Sequence, residues 1–207
     1  MPVKTVIFDF DGTLADTGAM LLSGLNKYSK KYGYDKIQDL ESLRNIPLKK
    51  LIREELKLPR YKLPQYSLRL RKFIKKQEEQ IVFFSQMKEL LSTLSEKYRV
   101  GIVSSNSKKL IERTLKRLDV HDVSFVHCTK SLFDKHKTLL KILKKKKLKS
   151  DETIYVGDEA RDIKACQKIS IKMIAVTWGF DALHLLQKEQ PDFLAQTPSE
   201  LMSLLVG

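Results

Sequence analysis

The sequence predicts an α/β fold: a doubly wound, mainly parallel sheet with a small all-helical segment inserted after the first strand. Three observations carry this. Short apolar runs of strand length recur at residues 3–8, 100–103, 123–126, 153–156 and 172–176, with helical patterns between them. Strands that alternate with helices imply parallel pairing through crossover helices. The stretch 16–82 shows no strand pattern and places its apolar residues at helical spacing. Lastly, Asp9, Ser104 and Asp158 each follow the end of an apolar run. In open parallel sheets ligands bind beyond the carboxyl ends of the strands, where the strand order reverses, so the three can converge on one edge.

The first run, Val6-Ile7-Phe8, reads as a buried strand and leads into Asp9-Phe10-Asp11-Gly12-Thr13. Side chains alternate along a strand, so Asp9 and Asp11 are expected to face the same way. Gly12 lets the chain leave the strand sharply. Paired acids at the end of a buried strand point to metal-assisted chemistry or to a nucleophile with an acid/base partner. A plain Asp-Gly turn is the structural alternative.

In the inserted stretch the helical patterns are Leu21, Leu22, Leu25 and Tyr28; then Leu48, Leu51, Ile52 and Leu56; then Leu68, Leu70, Phe73 and Ile74. Pro47, Pro59 and Pro64 punctuate them. Phe83-Phe84-Ser85 returns the chain to the core, ahead of a helix carrying Met87, Leu90, Leu91 and Leu94.

The second run ends in Ser104-Ser105-Asn106-Ser107, and Leu110, Ile111, Leu115 and Leu118 mark the helix beyond. Hydroxyls and free N–H groups at a helix start make an anion site; a simple helix cap uses the same residues. Asp134-Lys135-His136-Lys137 opens a further helix through Leu139, Leu140 and Leu143. A lysine there can hold a phosphate oxygen as a point charge, or be one more solvated lysine among many. The fourth segment runs from Thr153 through Val156-Gly157-Asp158-Glu159-Ala160-Arg161-Asp162. If a helix starts after Gly157, Asp158 and Asp162 share a face one turn apart. An acid at a helix start is also an ordinary dipole partner, but two acidic strand ends can share one cation.

At 207 residues with 42% hydrophobic content, the chain suffices for a core domain plus an insertion. Two cysteines, Cys128 and Cys166, give no disulfide framework, so a reducing, cytoplasmic location is expected. No apolar leader precedes the first strand, and no apolar run approaches the length of a membrane span. Net charge is +14. Residues 16–82 alone carry sixteen Lys/Arg against eight Asp/Glu, and a second basic run is Lys141, Lys144, Lys145, Lys146 and Lys147. Such charge attracts anionic substrates, nucleic acid or anionic lipid, or is simply a solvated face. No nucleic-acid motif accompanies it, so a nucleic-acid partner is not expected.

Together the segments resemble the four motifs of the haloacid dehalogenase superfamily: Asp-x-Asp-Gly-Thr, apolar-Ser/Thr, Lys, and Gly-Asp-x-x-x-Asp. The resemblance spans nearly the whole chain. Tyr155-Val156-Gly157-Asp158, Asp162-Ile163-Lys164-Ala165-Cys166 and Ile174-Ala175-Val176-Thr177-Trp178-Gly179-Phe180 look like the phosphoglycolate phosphatase-like branch. The resemblance implies a Rossmann-like catalytic core from residues 1–15 and 83–207, and a helical cap from 16–82 that opens and closes over the site. It implies a Mg2+-dependent phosphatase acting on a small phosphorylated metabolite through an aspartyl-phosphate. Asp9 would be the nucleophile and Asp11 the acid and then the base. Mg2+ would be held by Asp9, the Asp11 backbone carbonyl and Asp158. Ser104, with Ser105 the alternative, would bind phosphoryl oxygens. Lys135, with Lys137 the alternative, would neutralise charge; Phe133-Asp134-Lys135 resembles a Phe-Gly-Lys variant of the third motif. Asp162 would orient Lys135 or metal-bound water, and Thr13 would support the loop. A monomer or weak dimer is expected. The rival readings are a β-phosphoglucomutase-like sugar phosphomutase and a non-catalytic binding module on the same fold. All four histidines lie outside the inserted stretch, which removes one obvious acid/base of a mutase cap.

Overall fold

The computed structural model describes residues 2–129 and 134–206; Phe133 of the third motif lies outside them. The chain opens with β1 (Thr5–Phe8) and the two-residue β2 (Ala15–Asp16), then α1 (Gly18–Tyr32), α2 (Leu40–Arg44), α3 (Leu48–Lys50) and α4 (Leu63–Lys75). It returns through β3 (Val82–Phe83) to α5 (Met87–Ser95), β4 (Arg99–Ser104), α6 (Lys108–Arg117), β5 (Phe125–Cys128) and α7 (Lys135–Lys146). The last part is β6 (Thr153–Gly157), α8 (Ala160–Gln167), β7 (Lys172–Val176), α9 (Leu183–Lys188), β8 (Phe193–Ala195) and α10 (Pro198–Val206).

Six strands form one parallel sheet in the order β5-β4-β1-β6-β7-β8. The chain builds outward from β1 in one direction and then in the other, so the order reverses at β1. Phe8 pairs with Ile102 of β4 and with Val156 of β6. Asp9, Ser104 and Asp158 therefore emerge within two residues of one transverse row. β1 is buried on both faces. Val6 and Phe8 pack in a cluster with Leu90 and Leu94 of α5 and Leu201 of α10. Ile7 packs on the opposite face with Leu139 of α7 and Ile163 of α8. A strand covered on both sides reads as an unbroken apolar run, and each large side chain so buried contributes about 1.5–3 kcal/mol.

Several strand limits differ from the sequence reading: β4 and β6 run one residue beyond it, and β1, β5 and the inserted stretch differ by more. β1 begins at Thr5 rather than Val3. β5 begins at Phe125 rather than Val123, paired opposite Gly101; a Cβ on Gly101 would overlap the Phe125 ring, so pairing starts where that ring finds room. The inserted stretch is not free of strand, because β2 and β3 pair antiparallel, Ala15 with Phe83 and Asp16 with Val82. This ribbon clips the two ends of the helical segment together and is too short to produce a periodicity.

Between β2 and β3 the helices build their own core around Leu25, Tyr34, Leu43, Leu51, Leu56 and Tyr66. α1 and α4 approach closely at Gly24, where a Cβ would overlap Leu70. After α3 the chain continues into a widened turn over Leu51–Glu55, in which the Leu56 N–H donates to the Leu51 carbonyl at 2.8 Å. Among the described residues no helix is long and apolar enough to cross a membrane.

Candidate active site

Asp9 follows β1 directly, and its N–H still donates to Val156 of β6 at 2.8 Å. The residue is 3% exposed. One carboxylate oxygen accepts the Phe10 N–H at 2.7 Å; the other meets the Lys135 ammonium at 2.5 Å. The chain then turns tightly. Gly12 takes a φ of 76° and its N–H donates to the Ala15 carbonyl at 2.9 Å. Only glycine is at ease there, and a Cβ at that point would also overlap the Asp158 carboxylate.

Asp11 does not point the way Asp9 does. The strand ends at Phe8, so strict alternation no longer applies. The Asp11 carboxylate turns toward the end of β4, accepting from Ser104 Oγ at 3.3 Å, from the Asn106 amide at 3.2 Å to each oxygen, and from Thr17 Oγ1 at 3.1 Å. Burial of the carboxyl group, and next the charge of Asp9, push its pKa up to about 6 against those hydrogen bonds.

Asp158 is fully buried in the turn after β6. It accepts from Thr13 Oγ1 and from the Phe180 N–H, both at 2.7 Å. The condition that a helix starts directly after Gly157 is not met: α8 starts at Ala160, whose N–H is capped by Asp181 Oδ2 at 2.7 Å, so Asp158 stands at the strand end and not on the helix face. Asp162 is on α8, fully buried, with its carboxylate 2.5 Å from Lys135. Lys135, 3% exposed at the start of α7, thus bridges Asp9 and Asp162. Burial works against its charge, but Asp162 and Asp9 outweigh it and hold the ammonium above the ordinary lysine range.

Asp9, Asp158 and Asp162 bring one carboxylate oxygen each to within 4.8 Å of one another. Burial pushes the Asp158 and Asp162 carboxyls up, with Asp9 adding to both. The Asp162 carboxylate accepts no hydrogen bond among the described residues, its partner being the Lys135 charge. Buried carboxylate oxygens in excess of their counter-charge suit a hard divalent cation.

Of the residues singled out from sequence, Asp9, Asp11, Thr13, Ser104, Lys135, Asp158 and Asp162 are all tied into this one network. Ser105 makes no side-chain hydrogen bond among the described residues but lines the adjoining cavity. Lys137 turns away: it pairs with Asp134 at 2.9 Å and its side chain is 64% exposed. Asn106 and Thr17 had been given no role, although Asn106 sits two residues beyond Ser104 at the same strand end. Trp178 packs beside the core, and its indole N–H donates to the Thr13 carbonyl at 3.1 Å, bracing the first loop.

Over this edge lies a cavity of about 170 Å³. Asp11, Ser105, Asn106, Glu159 and Arg161 face it from the sheet, and α1 and α4 contribute to its far side. The Arg161 guanidinium is held by Glu159, at 2.7 Å through Nε. Arg44 of α2 donates to the Thr177 carbonyl at 2.6 Å, joining the helical segment to the loop after β7.

Comparison with known proteins agrees with this architecture. The family model of haloacid dehalogenase-like hydrolases matches residues 6–176, and the chain belongs to that family. Among curated sequences, a phosphoglycolate phosphatase from Synechococcus elongatus is 30% identical over 204 residues, covering 97% of this chain and 96% of the relative. A pyrophosphatase PpaX from Bacillus mycoides is 26% identical, over 99% of this chain and 98% of its own. Among solved structures, a haloacid dehalogenase-like hydrolase from Streptococcus pneumoniae superposes with a TM-score of 0.81 at 22% identity, over 98% of both chains. Within its family the protein is an enzyme of the phosphatase type.

Proposed function

We propose that the protein is a Mg2+-dependent phosphatase that hydrolyses a small phosphomonoester through an aspartyl-phosphate on Asp9. The observation that carries the reading is the pairing of a buried, Lys135-neutralised Asp9 with an Asp11 whose pKa is raised to about 6.

The Asp9 carboxylate attacks phosphorus and the bond to the alcohol oxygen breaks. Asp11, whose raised pKa keeps a protonated fraction available just below neutral pH, gives its proton to the departing oxygen. A water then attacks the acyl-phosphate; Asp11 takes its proton, Asp9 is restored and inorganic phosphate leaves. One group serves as acid and then base, which a pKa near the working pH favours. Lys135 offsets the anionic charge on Asp9 and the phosphoryl group. Ser104, Ser105 and the N–H groups before α6 bind phosphoryl oxygens. Asp9, Asp158 and the Asp11 carbonyl would hold Mg2+, with Asp162 positioning Lys135. When bound, Mg2+ screens the repulsion between the carboxylate and the phosphate. The helical segment, residues 16–82, acts as a cap that closes over the core, residues 1–15 and 83–207, and excludes water. The relatives' names make phosphoglycolate the first substrate to try, in a cytoplasmic setting.

Release of p-nitrophenol from its phosphate ester, with Mg2+ and with chelator, tests the reading. Phosphate release should require the metal, and Asp9→Asn should lower kcat by about a thousandfold or more in a protein that remains folded. Release that survives either the chelator or the substitution would overturn the assignment.

A further inference from the structure

We propose that the alcohol released by this enzyme is apolar: the cavity takes a phosphomonoester whose leaving group carries an aliphatic or aromatic group of about six carbons. The inference rests on the phosphatase reading of the same site and names its substrate class.

The cavity has two unlike ends. At the sheet are the polar and charged residues Asp11, Ser105, Asn106, Glu159, Arg161 and Asp181. Toward the helices the wall is built by Leu25, Leu51, Ile52, Leu56, Leu58 and Leu70. The Tyr66 hydroxyl, also on that wall, is engaged with Tyr34 at 2.7 Å. The single charged residue that the helical segment contributes to the lining is Arg71. The other residues that the helical segment contributes to the lining are uncharged, and most are aliphatic. Leu63, Ser67, Leu70, Arg71 and Ile74 all line the cavity from one face of α4, as helical spacing requires.

A partly open, mainly aliphatic cavity of about 170 Å³ is close in size to those of about 150 Å³ that accept benzene. A carboxylate or second phosphate placed against the leucines, away from Arg71 and Arg161, would lose its hydration without a partner. A hydrocarbon gains about fourfold in affinity per buried methylene. An alkyl or phenyl phosphate therefore fits both ends, whereas a substrate anionic at both ends fits one.

The test compares methyl, propyl and hexyl phosphate with phosphoglycolate, using the full chain with Mg2+. We expect kcat/KM to rise about fourfold per methylene and hexyl phosphate to exceed phosphoglycolate at least tenfold. Ser67→Phe, which fills the chamber from α4, should collapse the hexyl-to-methyl ratio. A flat series, a preference for phosphoglycolate, or an unchanged ratio in Ser67→Phe would overturn the inference. Calorimetric binding of hexylphosphonate against methylphosphonate needs no turnover. Tighter hexylphosphonate binding without hydrolysis of any ester would sink the phosphatase reading and keep this one. Equal binding of the two phosphonates alongside ester hydrolysis would do the reverse.

Discussion

At the carboxyl ends of the strands, Asp9, Lys135, Asp158 and Asp162 are all at or below 3% exposure, and each is held by a group from another element. Across the cavity, α1 and α4 present leucines and isoleucine held by apolar packing and by one buried tyrosine pair. The first wall is polar, rigid and short of counter-charge; the second is aliphatic and joined to the core by the β2–β3 ribbon and a few polar contacts such as that of Arg44. The contrast divides labour physically. Geometry-sensitive chemistry sits on parallel strands that cannot shift independently. Selection of the alcohol falls to packing, which tolerates exchange of one hydrocarbon surface for another. Substitutions on the first wall should change rate and metal dependence, and those on the second should change which substrate is used and how stable the protein is.

Beyond the nucleophile itself, the largest effect is expected at Lys135. Lys135→Ala removes the one ammonium between Asp9 and Asp162 and leaves buried carboxylates facing each other. Breaking a buried pair from one side costs about 3–5 kcal/mol, and losing a charge aimed at the reacting group costs about a hundredfold or more in kcat. A thermal melt and steady-state kinetics check both; near-normal kcat would move the role to another cation. Thr13→Val comes next. It keeps the shape but removes the hydroxyl that donates to Asp158 at 2.7 Å. The Mg2+ concentration for half-maximal activity should rise about 10–100-fold, as for other lost partners of metal ligands, with kcat largely recovered at saturating metal. An unchanged Mg2+ requirement would separate Asp158 from the metal.

Asn106→Ala probes Asp11. It deletes the donor to both Asp11 oxygens, and kcat for p-nitrophenyl phosphate should fall about tenfold through looser placement of the acid, with little change in Mg2+ requirement. A change in metal requirement with kcat intact would instead tie Asn106 to the cation side of the site.

Much of the first wall was legible in the sequence because its signals are local. An apolar run that stops at Asp9, Ser104 or Asp158 announces a strand end, and parallel topology brings such ends together. What was not legible depends on distant partners. Asn106 reaches Asp11 across 95 positions, and α8 starts at Ala160 rather than earlier because Asp181, 21 residues on, caps it. Asp9 and Asp11 diverge because β1 stops one residue before the motif, a boundary that periodicity cannot place. The second wall was legible only as helical spacing. The same leucines that read as cap core also line a chamber, and no pattern of apolar residues distinguishes a filled interior from one with space in it.

The smallest effect is expected at Tyr34, and it tests whether the two walls are separable. The Tyr34 hydroxyl donates to the Leu25 carbonyl at 2.5 Å and pairs with the Tyr66 hydroxyl at 2.7 Å. Tyr34→Phe leaves the Tyr66 hydroxyl buried without this partner and the Leu25 carbonyl with its helical bond alone, at a cost of about 1–3 kcal/mol, visible as a lowered denaturation midpoint. The residue does not line the cavity and touches none of the carboxylates. kcat for p-nitrophenyl phosphate and the Mg2+ requirement should therefore stay within about twofold, a difference of about 0.4 kcal/mol. A loss of kcat comparable to that of Asn106→Ala would mean that packing inside the helical segment sets the position of Asp11, and the division between a chemical wall and a selecting wall would fail.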